Sequence, residues 1–204
     1  MHTEILSDKQ QELLPFISSF RRSFYLVGGT AIAFHIGHRK SIDYDLFTFS
    51  RINKTKIRQK LLLLPYPQIV LFEDIDQLHF IVNGVKVTFF QYPYPISHPC
   101  SLEKLISFPS LLSLAAMKAF ALGRRAKWKD YVDLYFILKD YYSIKEIAME
   151  AQILFEQHFS EKLFREQLTY HKDIDYREEV EFLPGYEVDK EEIKAFLIDK
   201  ALTL

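Results

Sequence analysis

Ile5, Leu13, Leu14, Ile17 and Phe20 recur near helical spacing, so the pattern predicts a helix over residues 4–20. The apolar run Phe24 to Val27 then reads as a short strand, stopped by Gly28-Gly29. Thr30 to Ile36 fits a brief helix ended by Gly37. From Ser41 to Phe49, Asp43, Asp45 and Phe47 alternate with Tyr44, Leu46 and Thr48, so a strand here projects both carboxylates from one face. Asn53 to Leu64 reads as a further helix, broken by Pro65 and Pro67. The clearest local signal is a hairpin: Gln77 to Val82 and Val85 to Phe90 are strand-like runs joined by Asn83-Gly84, a type I′ turn pair. Beyond Tyr92-Pro93-Tyr94-Pro95 alternation gives way to helical patterns at Leu111 to Leu122, Lys129 to Tyr141, Ile144 to Phe159, Glu161 to Tyr170 and Lys190 to Ala201. Pro184-Gly185 marks a turn, and no internal repeat is evident.

The pattern thus predicts an α+β fold: a small mixed β-sheet core flanked by helices over residues 1–95, followed by a helical lobe over 96–204. A length of 204 residues suits one compact domain or two small lobes. Composition sharpens this. With 49% apolar residues, 18 Phe and 12 Tyr, a disordered chain is excluded. A formal net charge of -1 gives no whole-molecule signature of nucleic-acid binding, so any such partner must meet a local patch. The single cysteine, Cys100, cannot form an internal disulfide and rules out a cysteine-rich zinc module. The start of the chain is polar, and no run approaches the roughly 18 apolar residues of a membrane helix. The expectation is a cytoplasmic protein with no signal peptide and no membrane partner.

Candidate chemistry centres on two short segments. Gly28-Gly29 allows close approach of backbone N–H groups to a phosphate at a helix N-terminus, although a glycine pair alone also fits a plain tight turn. Thr30 adds a hydroxyl donor or a helix cap. The Walker A and G-x-G-x-x-G patterns are both absent. Asp43 and Asp45 repel each other and lose hydration unless a cation compensates. Magnesium suits them, because it takes hard oxygen ligands from one or two carboxylates together with substrate phosphates. An exposed strand end, or an ion pair to Arg39 or Lys40, accounts for the doublet equally well. Strand, glycine turn, helix and two-carboxylate strand in succession bring phosphate-binding amides and metal ligands together, the makings of metal-assisted nucleotidyl transfer. His35 and His38 lack the further ligands of a zinc site, and Cys100 lies beside no evident His or Asp partner motif for a nucleophile.

The run VGGTAIAFHIGHRKSIDYDLF from Val27 to Phe47 resembles the DNA polymerase beta-like nucleotidyltransferases, and more closely the AbiEii/AbiGii toxin family. The likeness continues in AAMKAFALGRRAKWKDYVDL, Ala115 to Leu134, and extends to YHKDIDYREEVEFL, Tyr170 to Leu183. It implies a nucleotidyltransferase core whose helical lobe completes the active-site cleft. It also implies an NTP substrate, Mg2+, an RNA acceptor such as a tRNA end or a protein acceptor, and a cognate antitoxin. The residues it points to are Asp43 and Asp45 as metal ligands and catalytic carboxylates, and Asp130 as a further acid or base. Gly28, Gly29, Thr30, Arg39, Lys118 and Lys129 become expected nucleotide contacts. The basic run Arg124, Arg125, Lys127 and Lys129 also reads as solvated surface when taken alone. Asp130 and Asp133, three apart, share one helix face.

One departure bears on activity. The resemblance leads one to expect a third metal carboxylate on the strand Val85 to Phe90, and the residue in that place is Thr88, a neutral and weak magnesium ligand. The readings that follow are a magnesium-dependent toxin that transfers NMP, and a catalytically impaired nucleotide-binding or partner-binding module of the same fold.

Overall fold

A computed structural model describes residues 1–122 and 124–203. By internal contact the chain divides into two compact units, Met1–Ser110 and Leu111–Leu204.

The first unit opens with a short 3-10 turn at Thr3–Ile5, followed by helix α1 (Asp8–Ser18). The predicted single helix is interrupted here because Ser7 caps α1 in a capping box with Gln10, which fixes a helix start three residues after the turn. Strand β1 (Tyr25–Val27), helix α2 (Gly28–Ile36), strand β2 (Asp43–Thr48) and helix α3 (Lys54–Leu61) follow in the predicted order. Gly37 ends α2 in the left-handed conformation, and Asn53 caps α3 by accepting from the Lys56 N–H. The hairpin is β4 (Gln77–Val82) and β5 (Val85–Gln91), with Asn83 and Gly84 both at positive φ, as a type I′ turn requires.

Strand β3 (Gln68–Asp74) and the small hairpin β6 (Cys100–Leu102) with β7 (Ile106–Phe108) were not evident from the pattern. The sheet runs β1-β2-β5-β4-β3, with β2 and β5 parallel and the other pairs antiparallel. As the margin of the sheet, β3 has nothing to bury against. Ile69, Val70, Leu71 and Phe72 are all largely exposed, so no period-2 signal exists to read. The segment 96–110, assigned by pattern to the helical lobe, contacts the sheet core through β7 on β1, which moves the division from Pro95 to Ser110.

One face of the sheet is sealed. Phe16 and Phe20 of α1 and its following turn meet Phe80 of β4 and Phe89 of β5 edge-on, with centroids 6.4 and 4.8 Å apart, and Phe24 meets Phe89 at 5.0 Å. Tyr44 points to the same side and donates to the Gln10 carbonyl at 3.0 Å. Ile57 and Leu61 of α3 are buried too. The opposite face carries Asp43, Asp45 and Phe47 of β2, with Lys86, Thr88 and Phe90 alongside in β5. It is only partly covered, and the alternation of half-exposed and buried positions along β2 reports this difference directly.

The second unit comprises helices α4 (Leu111–Leu122), α5 (Trp128–Asp140), α6 (Ile144–Phe155), α7 (Glu161–Thr169) and α8 (Lys190–Leu202). A 3-10 turn at Glu156–His158 ends α6 at Phe155, where the pattern carried that helix on to Phe159, and Glu156 takes a positive φ there. Phe120 of α4 stacks on Phe155 of α6 at 4.1 Å, and Tyr135 of α5 packs edge-on against Phe196 of α8 at 4.9 Å. No helix among the described residues is long and apolar enough to cross a membrane.

Candidate active site

In the first unit the glycine turn and the aspartate strand come together. Val27 lies in register with Asp45 across the antiparallel β1–β2 ladder, so the turn that begins at Gly28 starts beside the Asp45 side chain. A Cβ on Gly28 would lie 2.5 Å from Asp45 Oδ2, and Gly28 also holds φ 71°. Only glycine satisfies both demands. Gly29 is restricted differently: a Cβ there would collide with the Arg39 guanidinium. The glycine pair therefore makes room for one carboxylate and one guanidinium, a packing reason that spacing alone does not disclose.

The loop between α2 and β2 is tied to the same place. Thr30 donates its hydroxyl to the Asp43 carbonyl, and its Oγ1 also lies 2.7 Å from the Ser41 hydroxyl, so the threonine fixes the entry to β2 instead of facing solvent. Arg39 is buried and donates to the Lys40 carbonyl at 3.0 Å. His38 is buried, as a packing residue would be. His35 Nε2 lies 3.0 Å from the Pro109 carbonyl oxygen, with its ring edge-on to Phe108, and burial lowers its pKa despite that contact.

The open face is organised in rows. Asp43 is in register with Lys86 of β5. Asp45 is in register with Thr88, and Thr88 with His79 of β4. Thr88 thus occupies the strand position directly beside Asp45. Among the described residues, no group of three or more His, Cys, Asp or Glu side chains is placed to hold a metal ion. What this face offers a divalent ion is two carboxylates and a neutral hydroxyl neighbour, a donor set that fits magnesium when water and substrate phosphates complete its shell. Lys86 and His79 were not singled out by sequence. Alternation within the hairpin placed them on one face, but only the parallel β2–β5 register brings that face beside Asp43 and Asp45. His79 is neutral-leaning: burial and then Lys86 lower its pKa, while Asp45 acts in the opposite direction.

In the second unit, Lys118 of α4 bridges two carboxylates of α5, with Nζ 2.7 Å from both Asp130 Oδ1 and Asp133 Oδ2. Arg125 approaches the other Asp130 oxygen at 3.1 Å. The side chains of Lys118, Asp130 and Asp133 are 5%, 4% and 0% exposed, so this is an enclosed ion cluster. Burial alone would raise the Asp130 pKa, but the charges of Lys118 and Arg125 and the hydrogen bond from Lys118 outweigh it, and the net direction is downward. Lys129 faces elsewhere and joins Lys127 on Glu178, at 3.1 and 2.7 Å. Burial opposes ionisation of Glu178, yet the two ammonium hydrogen bonds hold its pKa at about 2.

A protein-family model described as "Nucleotidyl transferase AbiEii toxin, Type IV TA system" matches residues 73–201. The chain belongs to this family. The match includes Thr88, Lys118, Asp130 and Lys129, and begins beyond the Gly28 turn and the aspartate strand. Membership in a family of toxins of type IV toxin–antitoxin systems implies an NTP substrate and a cognate antitoxin, and nucleotidyltransferases generally work with a divalent metal. An uncharacterized protein of Aquifex aeolicus (strain VF5) is 31% identical over 195 residues, covering 92% of this chain and 86% of its own. Solved structures of similar fold include MenT4, a nucleotidyltransferase toxin of Mycobacterium tuberculosis, at TM-score 0.60 and 14% identity, with 95% of this chain and 80% of that one covered. JHP933 from Helicobacter pylori is similar at TM-score 0.58 and 15% identity, over 98% and 91% of the two chains. At that identity the likeness speaks for the fold: an AbiEii chain with a five-stranded mixed sheet and helices, as its own topology has it.

Proposed function

We propose that this AbiEii protein transfers a nucleoside monophosphate from an NTP to the 3′ hydroxyl of an RNA acceptor, a tRNA end being one such acceptor, in a magnesium-dependent reaction. The observation that carries this reading is the contact of the Asp45 carboxylate with Gly28 at the start of α2, with Asp43 on the same strand face. Phosphate-binding backbone and metal-ligating carboxylates then adjoin. Asp43 and Asp45 would hold the metal, which supplies charge neutralisation on the phosphates when bound. Gly28 and Gly29 open the first turn of α2 to a phosphate, favoured by the helix dipole. Thr30 and Arg39 act by fixing the turn and the strand entry. In the transfer, the acceptor hydroxyl oxygen bonds to the α-phosphorus, the bond from that phosphorus to the β-phosphate bridging oxygen breaks, and pyrophosphate leaves with its electron pair. The hydroxyl proton passes to a base or to solvent.

For the second unit the reading separates the expected roles. Lys118 and Asp130 are saturated by each other and by Asp133 and Arg125, which favours a structural role for the cluster. Lys129 remains a proposed phosphate contact, since a triphosphate would compete with Glu178 for the Lys127 and Lys129 ammoniums.

Thr88 beside Asp45 favours a second reading, a nucleotide-binding module in which turnover is lost with the third carboxylate. One experiment separates the two. Wild-type protein and an Asp43→Ala, Asp45→Ala double variant are incubated with magnesium, each labelled NTP in turn, and total RNA. Label transfer by wild type alone supports the transferase. Metal-dependent NTP binding without any labelled RNA supports the binding module.

A further inference from the structure

A second concavity lies at the other end of the β1–β2 ladder. It has a volume of about 400 Å3 and is lined by Arg21, Arg22, Tyr25, Phe49, Ser97 and His98 together with neighbouring hydroxyl and apolar residues, all within the first unit. Its size suits a nucleotide-sized fragment. None of its lining residues is acidic. Arg21 and Arg22 are both exposed and have no ion-pair partner among the described residues, which leaves two positive charges open to an anion. Phe49, the residue that follows the aspartate strand, is 59% exposed and lines the cavity.

The wall beneath is aromatic and polar at once. Tyr25 is 4% exposed, and its hydroxyl is buried without a hydrogen-bond partner among the described residues. The His98 ring stacks on Tyr25 at 4.6 Å and 12° and is held by the Ser107 hydroxyl, 3.0 Å from Nδ1. Paired arginines, an exposed aromatic ring and several hydroxyls form the chemistry that recognises an unpaired nucleotide: guanidinium on phosphate, ring on base, hydroxyl on ribose. Two arginines, with no acid among the lining residues, suit a polyanionic strand. Register sets the distance to the metal ligands. Tyr25 pairs with Phe47 and Val27 with Asp45, so the cavity wall stands one side-chain repeat, roughly 7 Å, along the ladder from Asp45.

We propose that this cavity binds single-stranded RNA, holding a nucleotide of the acceptor upstream of the reacting 3′ end. The proposal rests on the transferase reading for the identity of the strand but not for the binding itself. The probe is a short, fluorescently labelled single-stranded RNA, titrated by anisotropy against wild type, an Arg21→Ala, Arg22→Ala double variant, Phe49→Ala and Phe49→Trp, with labelled NTP titrated in parallel. The expected results are a loss of RNA affinity of at least about tenfold in the arginine double variant and in Phe49→Ala, with Phe49→Trp retaining affinity because the stacking face is kept. The arginine variant should also flatten the salt dependence, its log–log slope falling by about 1.4 for two lost phosphate contacts to a single strand. NTP affinity should not change. RNA affinity unchanged in both alanine variants overturns the proposal, as does an equal loss of NTP affinity. If wild type binds RNA through these residues yet labels none, the cavity stands and the transferase reading falls. If label transfer and RNA affinity survive the arginine double variant intact, the cavity falls and the transferase reading stands.

Discussion

Two pairs of aspartates, one in each unit, show how the same side chain is set in opposite surroundings. Asp43 and Asp45 lie two apart on a strand, on a sheet face that no helix of the sheet's sealed side reaches, and both are only half-buried. Asp130 and Asp133 lie three apart on α5 and are almost wholly enclosed, with Lys118 and Arg125 supplying the compensating charge from within the chain. A buried carboxylate must be neutralised where it sits, whereas a half-exposed pair keeps capacity for an external cation. Spacing alone does not separate the cases. In the second unit the difference is made by Lys118, built into the facing helix within 2.7 Å of both carboxylates.

The comparison is tested hardest by removing each pair's function. Asp43→Ala with Asp45→Ala is expected to lower nucleotide transfer by about 10³-fold or more, about 4 kcal/mol of activation free energy, in a labelled-NTP assay. Its melting temperature should stay near wild type, because neither side chain is enclosed. Lys118→Met should behave in the reverse way. Left without their shared ammonium, Asp130 and Asp133 become uncompensated buried charges, so denaturant unfolding should report a loss of about 3–5 kcal/mol. Adding Asp130→Asn and Asp133→Asn to Lys118→Met should restore part of it. A Lys118→Met protein of unchanged stability would erase the distinction between the pairs.

Next in size is Gly28→Ala. The new Cβ meets Asp45 Oδ2 at 2.5 Å, and the backbone stays at φ 71°, so about 1–3 kcal/mol of stability should be lost. Transfer activity should fall further than stability explains, since the methyl displaces the very carboxylate proposed to hold metal. Gly185→Ala is the control. It shares a positive φ but meets nothing within 4 Å, so it carries the backbone cost without the displacement.

The buried pair also predicts an acid response. The folded-state pKa of Asp130 lies below its unfolded value, because Lys118 and Arg125 outweigh the burial that acts against the charged form. The stability it contributes is therefore complete above the unfolded pKa of about 3.9 and is lost as pH falls through the lower folded value. Denaturant titrations repeated at falling pH should show wild type losing stability below about pH 4, and Asp130→Asn showing a shallower decline.

Much of the first unit was legible because its signals are local. Asn83-Gly84 dictated a hairpin and Gly37 a helix end, and alternation set both β2 carboxylates on one face. The glycine–aspartate segment was legible as a unit for the same reason. What escaped depends on long-range partners. Strand β3 lies at the sheet margin with its apolar residues exposed, so burial left no period in its sequence. The hairpin β6–β7 is made of three-residue strands, too short to show one. Lys118 looked like a cation for a triphosphate because a lone lysine on an apolar helix announces a need for charge without saying whose. The facing α5 supplies the answer, through contacts that only folding creates. Lys86 and His79 likewise gained their place beside the aspartates from a parallel register that no turn specifies.

The smallest expected effect sharpens the comparison from the open side. Thr88 is the strand neighbour of Asp45, where the family resemblance leads one to expect a third carboxylate for the proposed metal site, and it is itself buried to 6% exposure. Thr88→Asp would place a like charge beside Asp45 at a nearly enclosed position, so the protein without added metal should lose on the order of 1 kcal/mol or more. Magnesium should recover that loss, since a third hard-oxygen ligand strengthens binding. Half-saturating magnesium for NTP binding should fall about three- to tenfold, equivalent to about 0.7–1.4 kcal/mol. A variant that loses stability with no gain in magnesium affinity would mean that Asp45 and residue 88 do not face one ion. The open face would then be marked out by Asp43 and Asp45 alone.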